Sequence, residues 1–346
     1  MLPAPACTSR VSGISHTEPA ARGAFLAAVS AALAGGALIS VQGRMNGELS
    51  TLWHVPLAAA VWSFGSGFLV LCVLLLLVPR LRRGVGTLWS AVQGGEIRWW
   101  QCVGGMLGAM LVAVQTYAVP LVGVAVFTVA VVAGQTSSSL AVDRAGLSPS
   151  GPAPVNGLRL LAAGLAVVGA SVASTARHGH SAVLLLPVLL AAGVGVTAAV
   201  QAAINGHVNL RTGHALSTTW VNFGMGVVML GAIALVHAVL VSGSAAWALT
   251  AAPWWAWFGG LCGIGAVGIA AATVRGLGVL ILAISTLTGQ LAAALALDLA
   301  SSATRADVGW RLVTGVLITF GGALVAALSR RGVAAGAGGR PGAPVH

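Results

Sequence analysis

The chain repeats itself, and the repeat limits its fold more than any other feature. Laid against itself with a shift of 159 residues, Val41, Gln42, Asn46, Gly47, Phe64, Gly65 and Gly67 meet identical residues at Val200, Gln201, Asn205, Gly206, Phe223, Gly224 and Gly226. With a shift of 155, Trp99, Trp100, Gly104, Gly108, Gly134, Gln135 and Asp143 meet Trp254, Trp255, Gly259, Gly263, Gly289, Gln290 and Asp298. With 152, Gly157, Arg159 and Gly169 meet Gly309, Arg311 and Gly321. The shift changes only where loops are expected. The coincidences include Trp-Trp, Gln, Asn and Asp, which chance pairing of Ala, Val, Leu and Gly does not supply.

What repeats is apolar. Hydrophobic residues make up 58% of the chain and charged residues 7%, with a mean hydropathy of +0.96, whereas soluble domains carry about 25% charged residues. Ten runs of roughly the length needed to span a bilayer, about 20 residues each, fall at 24–44, 57–78, 99–119, 121–142, 157–176, 182–203, 216–240, 253–273, 276–297 and 309–329. Each repeat holds five of them, and an odd number makes the second copy enter the membrane from the opposite side. The expected fold is an all-α polytopic membrane protein of ten transmembrane helices in two inverted-topology five-helix repeats. The expected divisions are a disordered cytoplasmic tail (1–22), repeat 1 (23–176), repeat 2 (177–329) and a cytoplasmic tail (330–346).

Charge sets the orientation. All 17 basic residues are arginines. With the N-terminus in the cytoplasm, only Arg44, Arg177, Arg305 and Arg311 fall outside, leaving 13 of the 17 inside, the bias that the positive-inside rule describes. Both termini are therefore expected in the cytoplasm of a bacterium, the chain being a multi-pass protein of the inner membrane. The net charge of +11 is scattered singly between apolar segments, so anionic lipid headgroups, and not nucleic acid, are the expected counter-charge.

Several chemistries are excluded outright. Without lysine there is no Walker A loop and no Schiff base to pyridoxal phosphate or retinal. Cys7, Cys72, Cys102 and Cys262 form no CxxC pair or metal-ligand spacing. His207, His214 and His237 are dispersed, and no HExxH or GxSxG run occurs. No cofactor, metal or catalytic residue is expected.

The segment Val41–Gly47 (VQGRMNG) with Phe64-Gly65-Ser66-Gly67 returns as Val200–Gly206 (VQAAING) with Phe223-Gly224-Met225-Gly226, and each half adds a Gly-Gln and a later Asp (Gly134, Gln135, Asp143; Gly289, Gln290, Asp298). In these features the chain resembles the YdcZ-type branch of the drug/metabolite transporter (EamA-like) superfamily from about residue 24 to 329. The resemblance implies a ten-helix inner-membrane transporter, many members of the wider superfamily being exporters of small metabolites or drugs; it carries over no binding residues. The copies differ at Arg44, Glu48 and Pro120, where the second has Ala203, His207 and Arg275.

The polar residues inside apolar runs are the candidates for substrate contact, because such groups face a protein interior or a wet cavity. Gln135 and Gln290 are the first pair: they are either donor-acceptor groups for a polar substrate or interhelical hydrogen bonders with Ser138, Ser139 and Thr286. Gln42 with Asn46, and Gln201 with Asn205, share helix faces. Asn-Gly is also a helix-ending pair, a role that weighs more than substrate contact for Asn46 and Asn205, while for Gln42 and Gln201 the two readings stand level. Glu48 is a candidate gate or coupling carboxylate, and Asp143 and Asp298 read as surface carboxylates, solvated or paired with Arg144, Arg159 or Arg311. Trp99-Trp100 and Trp254-Trp255 read as interfacial anchors, and Gly104/Gly108 and Gly259/Gly263 as small-xxx-small packing faces.

These features together describe a secondary transporter that moves a small metabolite or drug by alternating access, with export favoured. The alternatives are a non-transporting membrane partner or sensor subunit, which needs no catalytic residue, and an intramembrane lipid-modifying enzyme, for which no acid, base and nucleophile cluster at one depth. The expected partners are a small-molecule substrate and anionic lipids, with a homodimer left open.

Overall fold

In a lipid interior every backbone N–H and C=O must be satisfied within the segment, so long apolar runs become helices. The computed structural model describes residues 18–147, 152, 155–176, 181–240 and 251–337; among these there are helices and no strand. In chain order the helices are α1 (Glu18–Trp53), α2 (Pro56–Leu77), α3 (Pro79–Gln93), α4 (Gly104–Arg144), α5 (Gly157–Ser174), α6 (Ser181–Thr212), α7 (Ala215–Leu240), α8 (Gly259–Ala300) and α9 (Trp310–Ala337). Short 3₁₀ turns at Trp99–Val103 and Trp254–Phe258 lead into α4 and α8. Cys7 and most of both expected tails lie outside the described residues. Helix is already present at Glu18, and α9 runs on to Ala337.

Among the described residues, nine helical stretches are long and apolar enough to cross a membrane. One of them, Trp99–Arg144, is 46 residues long and covers two of the runs read from the sequence. It breaks at Gly123, whose φ of 82° and ψ of 166° are not helical; this left-handed φ is open to glycine at little cost. A straight helix of 41 residues would hold its ends about 60 Å apart. Both ends of α4 instead meet the same stretch of α6: Gly104 adjoins Asn205, and Val142 packs on Ala199 and Ala203. So α4 doubles back at Gly123. α8 carries the same break at Gly278, with φ 71° and ψ 162°, and Trp255 and Ala300, from the two ends of that unit, line one cavity beside Arg44.

The helix ends correct one expectation. Asn46-Gly47 and Asn205-Gly206 do not stop their helices; α1 continues to Trp53 and α6 to Thr212. The stops come at His54 and Gly213, with φ of 55° and 68°, which are equivalent positions of the two repeats. These residues supply the left-handed conformation that ends a helix. Gly47 serves packing: a β-carbon there would lie 2.9 Å from Val119 Cγ1.

α3 was not legible as a helix among its three arginines. Its apolar side, Leu81, Leu88 and Ala91, is buried, while Arg80, Arg82 and Arg83 are exposed. A helix polar on one side and apolar on the other suits the edge of a membrane.

The two repeats grip each other through the same contacts made twice. Gly36 approaches the Thr286 carbonyl as Gly195 approaches that of Val131, and Gly289 approaches Leu33 as Gly134 approaches Ala192. Gly259 and Gly263 receive Asn46 and Gln42, as Gly104 and Gly108 receive Asn205 and Gln201. The small-xxx-small faces thus seat the polar faces of the opposite repeat. Phe223 covers Gly67 and Phe64 covers Gly226, their rings 5.0 Å apart, so α2 and α7 run antiparallel where they cross. The largest apolar core draws on both halves, with Val122, Val124, Ala125 and Val129 from α4, Ala191 and Val194 from α6, Leu291 and Ala294 from α8, and Leu312 from α9.

Candidate functional site

The leg of α4 that follows Gly123 and the leg of α8 that follows Gly278 carry Gln135 and Gln290 at the same distance from the break, twelve residues on in each case (135 − 123 and 290 − 278). Together with α9 these legs line a half-open cavity of about 410 Å³. Both glutamines line it, with Thr136, Ser139, Leu287 and Phe320. Among the described residues no ionisable side chain is in its wall. The volume falls in the range of ligand pockets, mostly apolar with a few placed polar groups.

Nearby hydroxyls do not engage the glutamine amides. Ser138 donates to the Gln135 carbonyl at 3.3 Å, Ser139 to the Thr136 carbonyl at 2.8 Å, and Ser40 to the Gln290 carbonyl at 2.7 Å. Neither side-chain amide bonds another described residue, so the expected bonding to Ser138, Ser139 and Thr286 is not what holds them. Each amide has four donor or acceptor positions to offer.

The other candidates lie elsewhere. Asn46 is fully buried and donates through Nδ2 to Gln115 Oε1 at 3.1 Å, and Gln42 lies beside Gly263; in repeat 1 this polar face is interhelical packing. Gln201 and Asn205 line a separate cavity of about 140 Å³ with Asn209, Thr218 and Asn222, in which Thr218 donates to Asn209 Oδ1 at 2.5 Å. The sequence reading did not single out Asn209, Thr218 or Asn222; the signal available was Asn209 one helical turn beyond Asn205. Glu48 pairs with Arg44 at 3.2 Å one turn away and lines neither of these cavities.

The two repeat-matched aspartates are buried, which corrects their reading as surface groups. Asp143 forms an ion pair with Arg159, both nearly inaccessible. Asp298 accepts from the backbone N–H of Val124 at 3.0 Å and of Ala125 at 2.8 Å, the first amides after the Gly123 break. A helix start offers unpaired N–H groups and the positive end of the helix dipole, a natural seat for a carboxylate. The pairing spans the two repeats, so no spacing along the chain could have revealed it.

Trp99 and Trp254 are 74% and 77% exposed, as anchors in a headgroup layer would be. Among the described residues no three His, Cys, Asp or Glu side chains gather where they could hold a metal ion. Cys72, Cys102 and Cys262 are free thiols.

A family model described as "Putative inner membrane exporter, YdcZ" matches residues 27–172 and 186–325, two segments that coincide with the two repeats. No curated protein and no solved structure matches the chain.

Proposed function

Because the chain belongs to the YdcZ family of inner-membrane exporters, a multi-pass membrane transporter family, we propose that it is a secondary transporter that exports a small metabolite or drug by alternating access. The observation that carries this is the cavity into which the two repeats each contribute one glutamine at the same register. Inverted repeats supply two near-equivalent arrangements around one central site, which is what alternating access requires.

The topology belongs to the same proposal. Trp99–Arg144 counts as two crossings, since both of its ends meet one stretch of α6, which makes ten spans with both termini in the cytoplasm. The antiparallel crossing of α2 on its repeat mate α7 supports an inverted relation. The cavity wall favours an uncharged substrate: among the described residues an ion desolvated beside Phe320, Leu287 and two neutral amides would find no counter-charge there. Gln135 and Gln290 hold its polar groups and Phe320 its apolar part. Gln42, Gln201, Asn46 and Asn205 pack instead on the parts of α8 and α4 that precede Gly278 and Gly123, and Glu48 takes no part in the site.

The test measures melting temperature and ligand affinity on the same preparations, with a ligand found by thermal-shift screening of metabolites and drugs. Gln135→Ala and Gln290→Ala should each weaken binding by about 0.5–1.5 kcal/mol for a lost neutral hydrogen bond, roughly two- to tenfold, at nearly constant melting temperature. Unchanged affinity in both variants would remove the glutamines from the site.

A further inference from the structure

The two repeats make matched contacts at one glycine after another, and at one pair of glycines they do not. A β-carbon on Gly123 would lie 2.9 and 3.2 Å from the carboxylate oxygens of Asp298. The equivalent partner of Gly278 is Asp143, yet among the described residues nothing lies within 4 Å of that point on Gly278. Gly123 is buried and Gly278 exposed. The asymmetry extends along the legs: every residue from Val124 to Gly134 is buried, whereas among the repeat mates 281–289 only Ser285 and Gly289 are. Thr128 is 3% exposed, while its repeat mate Ala283 is exposed and lines the cavity. The cavity wall runs from Gln290 toward Ser139, Ala283 and Ala327, that is, toward the end where Gly278 and Asp143 lie.

We propose that Asp298 and Asp143 are the two latches of the transport cycle, each exchanging between a helix start of the opposite repeat and an arginine of its own. In the arrangement seen here Asp298 is latched onto the amides of Val124 and Ala125, which closes that end. Asp143 is held by Arg159, which leaves the other end open. In the alternate arrangement Asp143 caps the helix start after Gly278, and Asp298 moves to Arg311, the repeat mate of Arg159. Arg311 is placed for this: it is exposed, donates to the Thr175 carbonyl at 3.4 Å and lies 5.6 Å over the Trp310 ring, so no buried pair has to be broken to free it. A buried carboxylate left without a partner is strongly unfavourable. Two matched sets of charge-assisted partners keep both aspartates satisfied in both arrangements, and the gap between them stays small enough for substrate to tip it. In the orientation proposed above, this structure is open to the cytoplasm.

The proposal rests on the alternating-access reading, and the experiment separates the two. Thr128→Cys and Ala283→Cys, each placed in a chain whose four native cysteines are replaced by alanine, are reacted with N-ethylmaleimide. If Thr128→Cys never reacts while Ala283→Cys does, alternating access itself falls. If both react, Arg159→Gln, which removes a partner used only in the arrangement seen here, should raise the ratio of Thr128→Cys to Ala283→Cys labelling by roughly tenfold or more, the population shift expected for one lost charge-assisted hydrogen bond. Arg311→Gln, which removes a partner used only in the alternate arrangement, should lower that ratio, and because this side chain is exposed it decides the matter if Arg159→Gln does not fold. The effect of Arg311→Gln should vanish in an Asp298→Asn background. Side chains serving only stability would move both labels in the same direction, and that result, or an unchanged ratio in folded Arg311→Gln protein, overturns the latch.

Discussion

Gly193 and Gly195 lie two residues apart in α6, and alanine should have opposite effects at the two positions. A β-carbon on Gly195 would stand 2.2 Å from the Val131 carbonyl oxygen and 2.9 Å from the Gln135 nitrogen; on Gly193 it would meet nothing within 4 Å. The atoms in the way are backbone, so no rotamer relieves the clash, and α4 and α6 must part by about 1 Å to reach ordinary contact. Overpacking of this kind costs about 1–3 kcal/mol. Replacing a helical glycine by alanine contributes about 0.5–1 kcal/mol of stabilisation at either position, so that contribution cancels in the comparison. The melting temperatures of purified Gly195→Ala and Gly193→Ala should therefore differ by the clash alone, roughly 2 °C for each kcal/mol in a chain of this size. Gly36→Ala, whose β-carbon would lie 1.8 Å from the Thr286 carbonyl oxygen, should behave like Gly195→Ala because it is the same contact in the other repeat. If Gly195→Ala melts together with Gly193→Ala, α4 and α6 do not touch as described, and the reciprocal grip of the repeats is wrong.

Asn46→Ala leaves Gln115 Oε1 without its buried donor and should lower stability by about 1–3 kcal/mol; denaturation of the same preparation with a Gln115→Ala partner variant measures the coupling, and additive effects would refute it. Glu48→Gln removes a half-buried ion pair within one helix and should change stability by less than about 1 kcal/mol with no effect on transport, so a transport-dead, folded Glu48→Gln would restore this carboxylate as a gate. Reporter fusions after Arg83 and Arg331 should be cytoplasmic and one after Arg177 external; a cytoplasmic signal at Arg177 contradicts the inverted arrangement.

Much of this protein was legible in its sequence. Long apolar runs poor in charge leave the chain no surface to show to water, and an unpaired backbone group in lipid is too unfavourable to tolerate, so helices follow from composition alone. The repeat, read from Trp-Trp, Gln and Asp recurring at fixed shifts, named in advance which residues would stand in equivalent places, and Gln135 and Gln290 do line one cavity. Local signals misled where they were weak. Asn46-Gly47 has the chemistry of a helix end, but the left-handed turn falls at His54, where Pro56 opens the next helix.

What only the tertiary structure decided is which copy of a repeated residue does what. Asp143 and Asp298 are equivalent in sequence, yet one sits on an arginine and the other on a helix start. Gly123 and Gly278 share a backbone conformation, yet one is buried and the other open. A sequence repeat specifies two equal halves. The cavity here lies toward one end of the two packed halves, so the equality is broken, and the side on which it is broken is a property of the packed arrangement and not of any residue.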